Sequence, residues 1–311
     1  MIYVVSPIFR TGGVELLHQV GYELSKYADV RMAYVDKLPL IEEYAAYQIP
    51  YIWYQDMPDD DSFVILPEIF AKWDIGGHRR VVCWESVDNY FLYNKGTDFD
   101  PDTIHISQTE YSYRFLTEQV KAERIIRATD YINQAFLEPF DEQPRRRNVV
   151  LYNPAKGMEY TERIMAACKD LEFIPLAGMS RLEVRKQMRT AKLFIDFGNH
   201  PGKDRMPREA IASGCCVITS RRGSAAYYQD VPLFDEYKFD GNDIHGITVK
   251  IYDIMNDYDH HRNYFEIYRQ MVRGEKELFE HGMRVLADVL MMNGKDMRKV
   301  IDEVLNNNTG T

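Results

Sequence analysis

The sequence is poor in cysteine and lacks a cysteine–histidine pattern. Its 311 residues contain four cysteines, Cys83, Cys168, Cys215 and Cys216. They form no CxxC pair and no spacing with histidine that is typical of zinc sites. Each lies in an apolar context, and no neighbouring histidine or cationic cap would activate a thiolate at Cys215 or Cys216. We therefore expect reduced thiols, as in a cytoplasmic protein.

Long uncharged apolar runs are also absent. Nowhere do about 18 such residues follow one another, the length that a membrane-spanning helix needs. The first residues, MIYVVSPIFR, show no basic segment followed by an apolar stretch, so we expect no signal peptide. The sequence thus predicts a cytoplasmic chain without a transmembrane segment, either free or peripheral to a membrane.

Positive charge is in deficit. The chain has 38 Lys and Arg against 48 Asp and Glu, a formal net charge of −10. Nucleic-acid binding is driven by Lys and Arg that neutralise phosphates, so nucleic acid is disfavoured as the main partner. A local basic cleft is compatible with this balance. The length is sufficient for two domains that each bury a core.

Apolar runs alternate with helical patterns throughout the chain. In the first half, strands are predicted at 2–5, 29–36, 63–67, 80–84, 103–107 and 124–128, with helices at 14–28 and 109–121. In the second half, strands are predicted at 148–153, 171–178, 192–197, 215–220 and 232–239, with helices at 158–170, 180–191, 207–214 and 224–231. Strand–helix–strand alternation indicates parallel α/β sheets.

Proline and mixed charge in EPFDEQPRRRN (138–148) mark a linker. We predict an N-terminal Rossmann-like domain over 1–140 and a C-terminal Rossmann-like domain over 148–255. Helices over 256–311 would follow, packing back across the domain interface. The fold class is α/β, with two Rossmann-like domains facing each other across a cleft. Ligands of such sheets bind at the carboxyl ends of the strands.

In each half of the chain, a glycine-containing loop follows the first strand. Gly12 and Gly13 open the first helix, where they would let an anion approach free N–H groups. A tight turn that merely needs glycine is an equal alternative. In NPAKG (153–157), Lys156 stands just before a helix, where a cation conflicts with the helix dipole. It either serves an anion or is a solvated surface lysine.

A third loop, GNHPGKDRMPREA (198–210), concentrates polar and charged residues. Lys203 and Arg205 precede a helix with Pro207 in its first turn, so an anion between the two cations is expected. Glu209, predicted in that first turn, either complements the dipole or accepts hydrogen bonds from a ribose diol. Asn199 and His200 could contact sugar hydroxyls. His200 has no second histidine or cysteine nearby in sequence, so no metal is predicted there.

Two carboxylates follow a strand of the first half. Glu85 and Asp88, in CWESVDNY (83–90), could orient an acceptor hydroxyl or take its proton. A turn at Asp88–Asn89 is the structural alternative. The acidic triplet 59–61 contains a DxD but precedes its strand, so we interpret it as a turn and not as the metal site of a transferase.

With these residues in view, the chain resembles the retaining GT-B glycosyltransferases akin to family 4, including those of bacterial polysaccharide assembly. The resemblance covers most of the chain and is strongest over 150–232. It rests on the strand–GG–helix start, on the K-G pair in NPAKG, and on an E-A-x-A-x-G-x-x-V-I-x-S pattern at Glu209, Ala210, Ala212, Gly214, Val217, Ile218 and Ser220.

The resemblance implies that the domain over 1–140 is the acceptor side and that the domain over 148–255 binds the nucleotide sugar. It also implies roles for the candidate residues. Glu209 would hold the donor's ribose, and Lys156 with Lys203 or Arg205 would neutralise the donor diphosphate. Gly12 and Gly13 would let the first domain approach that diphosphate. No metal or other cofactor would be required, because cations of the protein take its place. The donor would be a UDP- or GDP-sugar, and the acceptor a saccharide or a lipid-linked molecule.

The sequence departs from the family pattern at one donor contact. The family's first glutamate, eight positions before Glu209, falls at Pro201. Asn199, His200 or a backbone amide are the candidates to replace it. The family arginine before the K-G lysine is also missing. A catalytically silent nucleotide-sugar-binding or scaffold protein of the same fold therefore stands beside the enzyme, and a nucleic-acid glycosylating enzyme is a further alternative.

Overall fold

The structure, a computed structural model, describes residues 1–139 and 145–292. The described residues form two compact units. The first comprises Met1–Gln108, Tyr113–Asp130 and 277–292, and the second comprises Thr109–Ser112, 131–139 and 145–276. The chain passes from the first unit to the second between Asp130 and Tyr131, before the predicted end of the first domain at 140. Residues 140–144 of the predicted linker lie outside the described residues. The predicted C-terminal helices are described as far as Met292.

The first unit contains a seven-stranded parallel sheet in the order β3-β2-β1-β4-β5-β6-β7. Its strands are β1 Ile2–Ser6, β2 Val30–Tyr34, β3 Tyr51–Trp53, β4 Phe63–Pro67, β5 Arg79–Trp84, β6 Ile104–Ser107 and β7 Ile125–Arg127. Strands β1 and β4 are buried along their whole length. Central strands of a parallel sheet are covered on both faces, which explains their continuous apolar runs.

The second unit contains a five-stranded parallel sheet in the order β12-β11-β10-β8-β9. Its strands are β8 Arg147–Tyr152, β9 Glu172–Pro175, β10 Ala191–Asp196, β11 Cys216–Ser220 and β12 Lys238–Phe239. One apolar core surrounds this sheet. The predicted strand 232–239 is wrong over most of its length, since only Lys238–Phe239 pairs with β11.

Ten α-helices lie within the described residues. They are α1 Gly12–Leu24, α2 Glu42–Ala45, α3 Val87–Tyr93, α4 Glu110–Phe115, α5 Met158–Ala167, α6 Arg181–Thr190, α7 Arg205–Ala212, α8 Ile244–Asn256, α9 Tyr258–Asn263 and α10 Glu266–Met291. Capping residues set several starts. Thr11 caps α1, and Ser180 with Glu183 forms a capping box at α6. Helix α10 belongs to the second unit as far as Lys276 and to the first from Glu277.

The four cysteines are free and buried, as the sequence predicts for reduced thiols. None of the helices in the described ranges combines the length and the apolarity that a membrane span requires.

The short elements α2, β3 and α3 were not among the predicted ones. They lie in segments that mix apolar and polar residues without a regular period.

Candidate functional site

Three loops meet at the carboxyl ends of the strands in the second unit. They follow β8, β10 and β11. Gly157, at φ +68°, leads from the first loop into α5, and a Cβ atom there would overlap the backbone of Phe197 and Gly198. Gly223 has a φ of +59°, and a Cβ atom there would overlap the carbonyl group of His200. Glycine at these two positions therefore allows the three loops to pack against one another.

Hydroxyl groups from the third loop hold the second one. Ser220 Oγ donates to the Gly198 carbonyl at 2.8 Å, and Ser224 Oγ donates to the Gly202 carbonyl at 2.6 Å. The Ser224 N–H donates to the His200 carbonyl at 2.8 Å. These hydrogen bonds hold the loop 198–204, hereafter called the donor loop after the role that the sequence predicts for it.

The Lys156 side chain crosses from the first loop to the donor loop. Its Nζ atom lies 2.5 Å from Asp204 Oδ2 and 3.2 Å from Asp196 Oδ2, and it donates to the Asn199 carbonyl at 2.9 Å. The imidazole of His200 is fully buried beside the same carboxylates, with Nδ1 2.8 Å from Asp204 Oδ2. The structure therefore brings three of the predicted site residues, Lys156, Asn199 and His200, together around the carboxylates of Asp196 and Asp204.

The electrostatics of the site favour the charged forms of Lys156 and Asp204. Burial lowers the pKa of Lys156, but the charges of Asp204 and Asp196 outweigh burial and raise that pKa. Burial likewise raises the pKa of Asp204, while His200 and Lys156 outweigh it and lower that pKa to about 2. An ammonium between two carboxylates is therefore the stable state at neutral pH.

Lys203 faces a different carboxylate. Its Nζ lies 3.0 Å from Oε1 of Glu275, a buried residue of α10, and Oε2 of Glu275 lies 2.7 Å from an Nη atom of Arg208. The guanidinium of Arg208 is fully buried and also donates to the carbonyls of Lys203 (2.7 Å) and Asp204 (3.1 Å). Helix α10 and helix α7 thus hold the end of the donor loop through one ion-pair network.

Helix α7 begins earlier than the sequence predicts. Arg205 is its first residue and does not precede it, and Pro207 is in the first turn as expected. Glu209 is the fifth residue, in the second turn, so the alternative that it complements the dipole from the first turn is wrong. Its side chain is half-buried, as is that of Arg205. The N-cap Asp204 makes no side-chain cap because it faces Lys156.

In the first unit, the predicted residues Gly13 and Glu85 are in contact. A Cβ atom at Gly13 would overlap the Glu85 carboxylate. Neither Gly12 nor Gly13 has a left-handed φ, so the alternative that the turn itself needs glycine is wrong for both. The carboxylate approaches the N-terminal turn of α1, where negative charge is favourable. Gly13 is thus explained by room for Glu85.

Asp88 lies in the first turn of α3. The alternative of an isolated turn at Asp88–Asn89 is therefore wrong. Ser86 caps this helix, its Oγ accepting the Asn89 N–H at 3.0 Å. Asp88 is half-buried, and its position in the first turn complements the helix dipole. A structural role is therefore sufficient for Asp88, and an acceptor role stays a prediction.

Glu68, which the sequence did not single out, supports the Glu85 loop. It follows β4, the strand between β1 and β5. Its Oε2 accepts the N–H of Glu85 at 3.1 Å, and its carbonyl accepts from Asn94 Nδ2 at 3.0 Å. Burial raises the pKa of Glu68 to about 8, against the lowering effect of the backbone N–H groups. Glu68 is therefore mostly protonated at neutral pH.

The buried acid predicts a pH dependence of stability. The pKa of Glu68 is about 8 in the folded state against an ordinary 4.5. Between these values only the folded state holds the proton, so the free energy of unfolding falls as pH rises, by up to about 1.4 kcal/mol per pH unit. Glu68→Gln should flatten this fall between pH 5 and 8, as measured by urea unfolding followed by tryptophan fluorescence. Parallel curves for the two proteins would contradict the assignment.

A cavity of about 550 Å³ in the first unit lies elsewhere. Phe63, Arg79 and Ile104, which line it, stand at the amino ends of β4, β5 and β6. Ligands of parallel α/β sheets bind at the carboxyl ends. Its lining cations are also engaged, since Arg124 pairs with Asp102 and Arg80 donates to two carbonyls. We therefore place the candidate site at the loops described above.

Known proteins resemble the chain in fold and not in sequence. No protein-family model and no curated protein matches the sequence. Among solved structures, HepE of Anabaena in complex with UDP and glucose aligns with 94% of this chain and 99% of its own, at a TM-score of 0.67 and 10% identity. WaaG, a glycosyltransferase involved in lipopolysaccharide biosynthesis, aligns with 93% and 99%, at a TM-score of 0.61 and 14% identity.

Sucrose-phosphate synthase of Thermosynechococcus elongatus gives a TM-score of 0.61 at 13% identity, and covers 97% of this chain and 99% of its own. At such identities the likeness concerns the fold alone. It confirms the predicted fold class, because these structures share the GT-B architecture. The chain has the α/β fold of the GT-B glycosyltransferases, with two Rossmann-like units and a helical C-terminal region.

Proposed function

We propose that this chain is a glycosyltransferase that moves a sugar from a nucleoside-diphosphate donor to an acceptor hydroxyl. The observation that carries the proposal is the donor loop. It lies at the carboxyl end of the second sheet and leads into the N-terminus of α7, with Lys203 and Arg205 in or beside it. Helix N-termini and cations bind phosphates. Solved structures of the same fold include one in complex with UDP-glucose.

In this proposal the donor diphosphate lies at the start of α7, and Glu209 accepts hydrogen bonds from the ribose. Lys203, Arg205 and the helix N-terminus stabilise the negative charge of the leaving diphosphate. Transfer proceeds with retention of configuration and without a metal ion. The leaving phosphate accepts the acceptor's proton, so no strong protein base is needed. Glu85 orients the acceptor hydroxyl in the first unit.

The proposal extends to the biological setting. The donor is a UDP- or GDP-hexose, and the acceptor is a growing saccharide or a lipid-linked precursor of polysaccharide. Transfer takes place in the cytoplasm, either in solution or at a membrane surface. Initial velocities with a panel of UDP- and GDP-sugars, in the presence and absence of EDTA, test the donor and metal independence together. Activity that requires added Mg²⁺ or Mn²⁺ would contradict metal independence.

A catalytically silent nucleotide-sugar-binding protein is the second candidate. Pro201 stands where the family pattern has a glutamate, and the ammonium of Lys156 is already paired with Asp196 and Asp204. Donor hydrolysis and transfer measured with candidate acceptors separate the two. Tight nucleotide-sugar binding without turnover of any donor would favour the silent protein. Turnover with any donor would exclude it.

Replacing Lys203 tests the diphosphate site. Lys203→Ala should weaken nucleoside-diphosphate binding by roughly 10- to 100-fold, the value of a hydrogen bond to a charged group of about 1.5–3 kcal/mol, and leave nucleoside binding nearly unchanged. Calorimetry with both ligands measures this difference. Lys250→Ala is a matched control, since Lys250 is as buried as Lys203 (15% exposed) and pairs with Glu236. Equal losses for both ligands would remove Lys203 from the diphosphate role.

A further inference from the structure

The ammonium of Lys156 occupies a position of the kind that a bound metal ion takes. Oxygen or nitrogen atoms of Asp196, His200 and Asp204 lie within 4.8 Å of one another. The Lys156 Nζ lies 3.2 Å from Asp196 Oδ2, 2.5 Å from Asp204 Oδ2 and 2.9 Å from the Asn199 carbonyl. Two carboxylates, a carbonyl and an imidazole are ligands that divalent cations use in proteins.

The surrounding structure fixes these ligands. Asp196 ends β10, its side chain is 1% exposed, and its Oδ1 accepts the Gly198 N–H at 3.0 Å. His200 is fully buried, and its Nε2 has no hydrogen-bond partner among the described residues, at 3.7 Å from Asp196 Oδ1. A buried carboxylate is stabilised by a paired cation or by hydrogen bonds. In this structure Lys156 supplies the cation beside Asp196.

The stem of Lys156 packs against the backbone of the donor loop. A Cβ atom at Gly198 would overlap the Cβ, Cγ and Cδ atoms of Lys156, so the stem lies directly on the donor-loop backbone. The positive charge of the Lys156 ammonium is also already paired with the carboxylates of Asp196 and Asp204. A diphosphate would have to compete with Asp196 and Asp204 for the same ammonium.

We propose that Lys156 is the resident cation of this site, which stands where a divalent metal ion would otherwise bind and holds the donor loop in its binding conformation. Lys156 is thus a positioning residue, and the diphosphate is bound by other groups. The link to nucleotide binding rests on the proposed function, whereas the cation site itself does not. The resemblance to family 4 would instead make Lys156 a direct diphosphate ligand.

The first test measures a metal ion and no nucleotide. Lys156→Ala empties the space between the carboxylates, whereas Lys156→Met removes the charge and keeps a side chain of similar length there. The alanine variant should gain one Co²⁺ site per chain by calorimetry, with the visible absorption band of imidazole- and carboxylate-bound Co²⁺. The wild-type protein and the methionine variant should show no such site.

A double variant assigns the new site to these ligands. Asp196→Asn in the Lys156→Ala background should weaken Co²⁺ binding by at least roughly tenfold, the lower limit for residues that merely support a metal ligand. No Co²⁺ site in a folded Lys156→Ala protein would overturn the proposal, as would an equal site in the wild type. If the alanine variant unfolds without metal, its thermal transition should reappear with Zn²⁺ and not with Mg²⁺, and no recovery with Zn²⁺ would overturn the proposal.

The second test uses nucleotides. Without metal, Lys156→Ala should weaken the binding of nucleoside and nucleoside diphosphate by similar factors, because the whole donor loop is released. Co²⁺ should restore both in the alanine variant and neither in the methionine variant. A selective loss of diphosphate binding would overturn the positioning role. If the wild type binds no nucleotide at all, the proposed function fails, while the Co²⁺ result stands independently.

Discussion

Glu275→Ala should be among the most damaging single substitutions in the second unit, with an expected loss of about 3–5 kcal/mol in the free energy of unfolding. The carboxylate is buried and pairs with Arg208 at 2.7 Å and with Lys203 at 3.0 Å. Its removal takes away the carboxylate that pairs with the fully buried guanidinium of Arg208. Breaking a buried ion pair by removing one partner costs far more than the net stability of the pair.

The effect should be local as well as global. Arg208 also donates to the carbonyls of Lys203 and Asp204, so a guanidinium that moves toward water takes the end of the donor loop with it. Hydrogen exchange of residues 198–212 should accelerate in Glu275→Ala before the rest of the sheet is affected. Urea unfolding followed by circular dichroism gives the global value.

Glu172→Ala provides the control at an exposed pair. Glu172 lies in β9 of the same unit and pairs with Arg147 at 3.8 Å, and the two side chains are 59% and 47% exposed. Exposed ion pairs contribute about 0–1 kcal/mol, so this variant should lose less than 1 kcal/mol. Similar losses in the two variants would show that the burial of the Glu275 carboxylate does not determine the effect. A loss below 1 kcal/mol for Glu275→Ala would contradict the role of the pair.

The sheets could be predicted from the sequence because their strands are short, buried and apolar. A run such as residues 63–67 has few alternatives to a central parallel strand. Where burial came from elsewhere, the same reasoning failed. In 232–239 the apolar residues belong to the core around the sheet, where Tyr237 is buried, but only two residues pair with a neighbouring strand. Apolar content alone does not distinguish a strand from a packed turn.

The ligand contacts of the candidate site stay predictions. The conflict between a lysine and the helix dipole led us to expect an anionic ligand beside Lys156 and Lys203. The partners themselves could not be derived, because Glu275 is 72 residues after Lys203 in sequence and Asp196 is 40 after Lys156, as their numbers show. Such pairs are set by tertiary packing. The structure places carboxylates of the chain beside both lysines, two beside Lys156 and one beside Lys203 that is shared with Arg208. Lys203 is therefore the lysine that we propose for the diphosphate.

The backbone at Gly157 carries the second large effect that we expect. Gly157 has a left-handed φ of +68°, and a Cβ atom there would overlap the backbone of Phe197 and Gly198. Backbone atoms cannot turn aside as a flexible side chain can. Gly157→Ala should therefore separate the Lys156 loop from the donor loop, with a loss of about 3 kcal/mol or more, the strained conformation accounting for 1–2 kcal/mol of it. Nucleotide binding should be lost together with stability.

Gly178→Ala separates the two causes. Gly178 has nearly the same φ, +67°, but no atom lies within 4 Å of the position of its Cβ. Its alanine variant should lose only the conformational part, about 1–2 kcal/mol. Urea unfolding of both variants gives the difference, which measures the loop contact alone. Equal losses would mean that the two loops are not held in close contact in solution. Because that contact places Lys156 between Asp196 and Asp204, the same result would also remove the geometric basis of the resident cation.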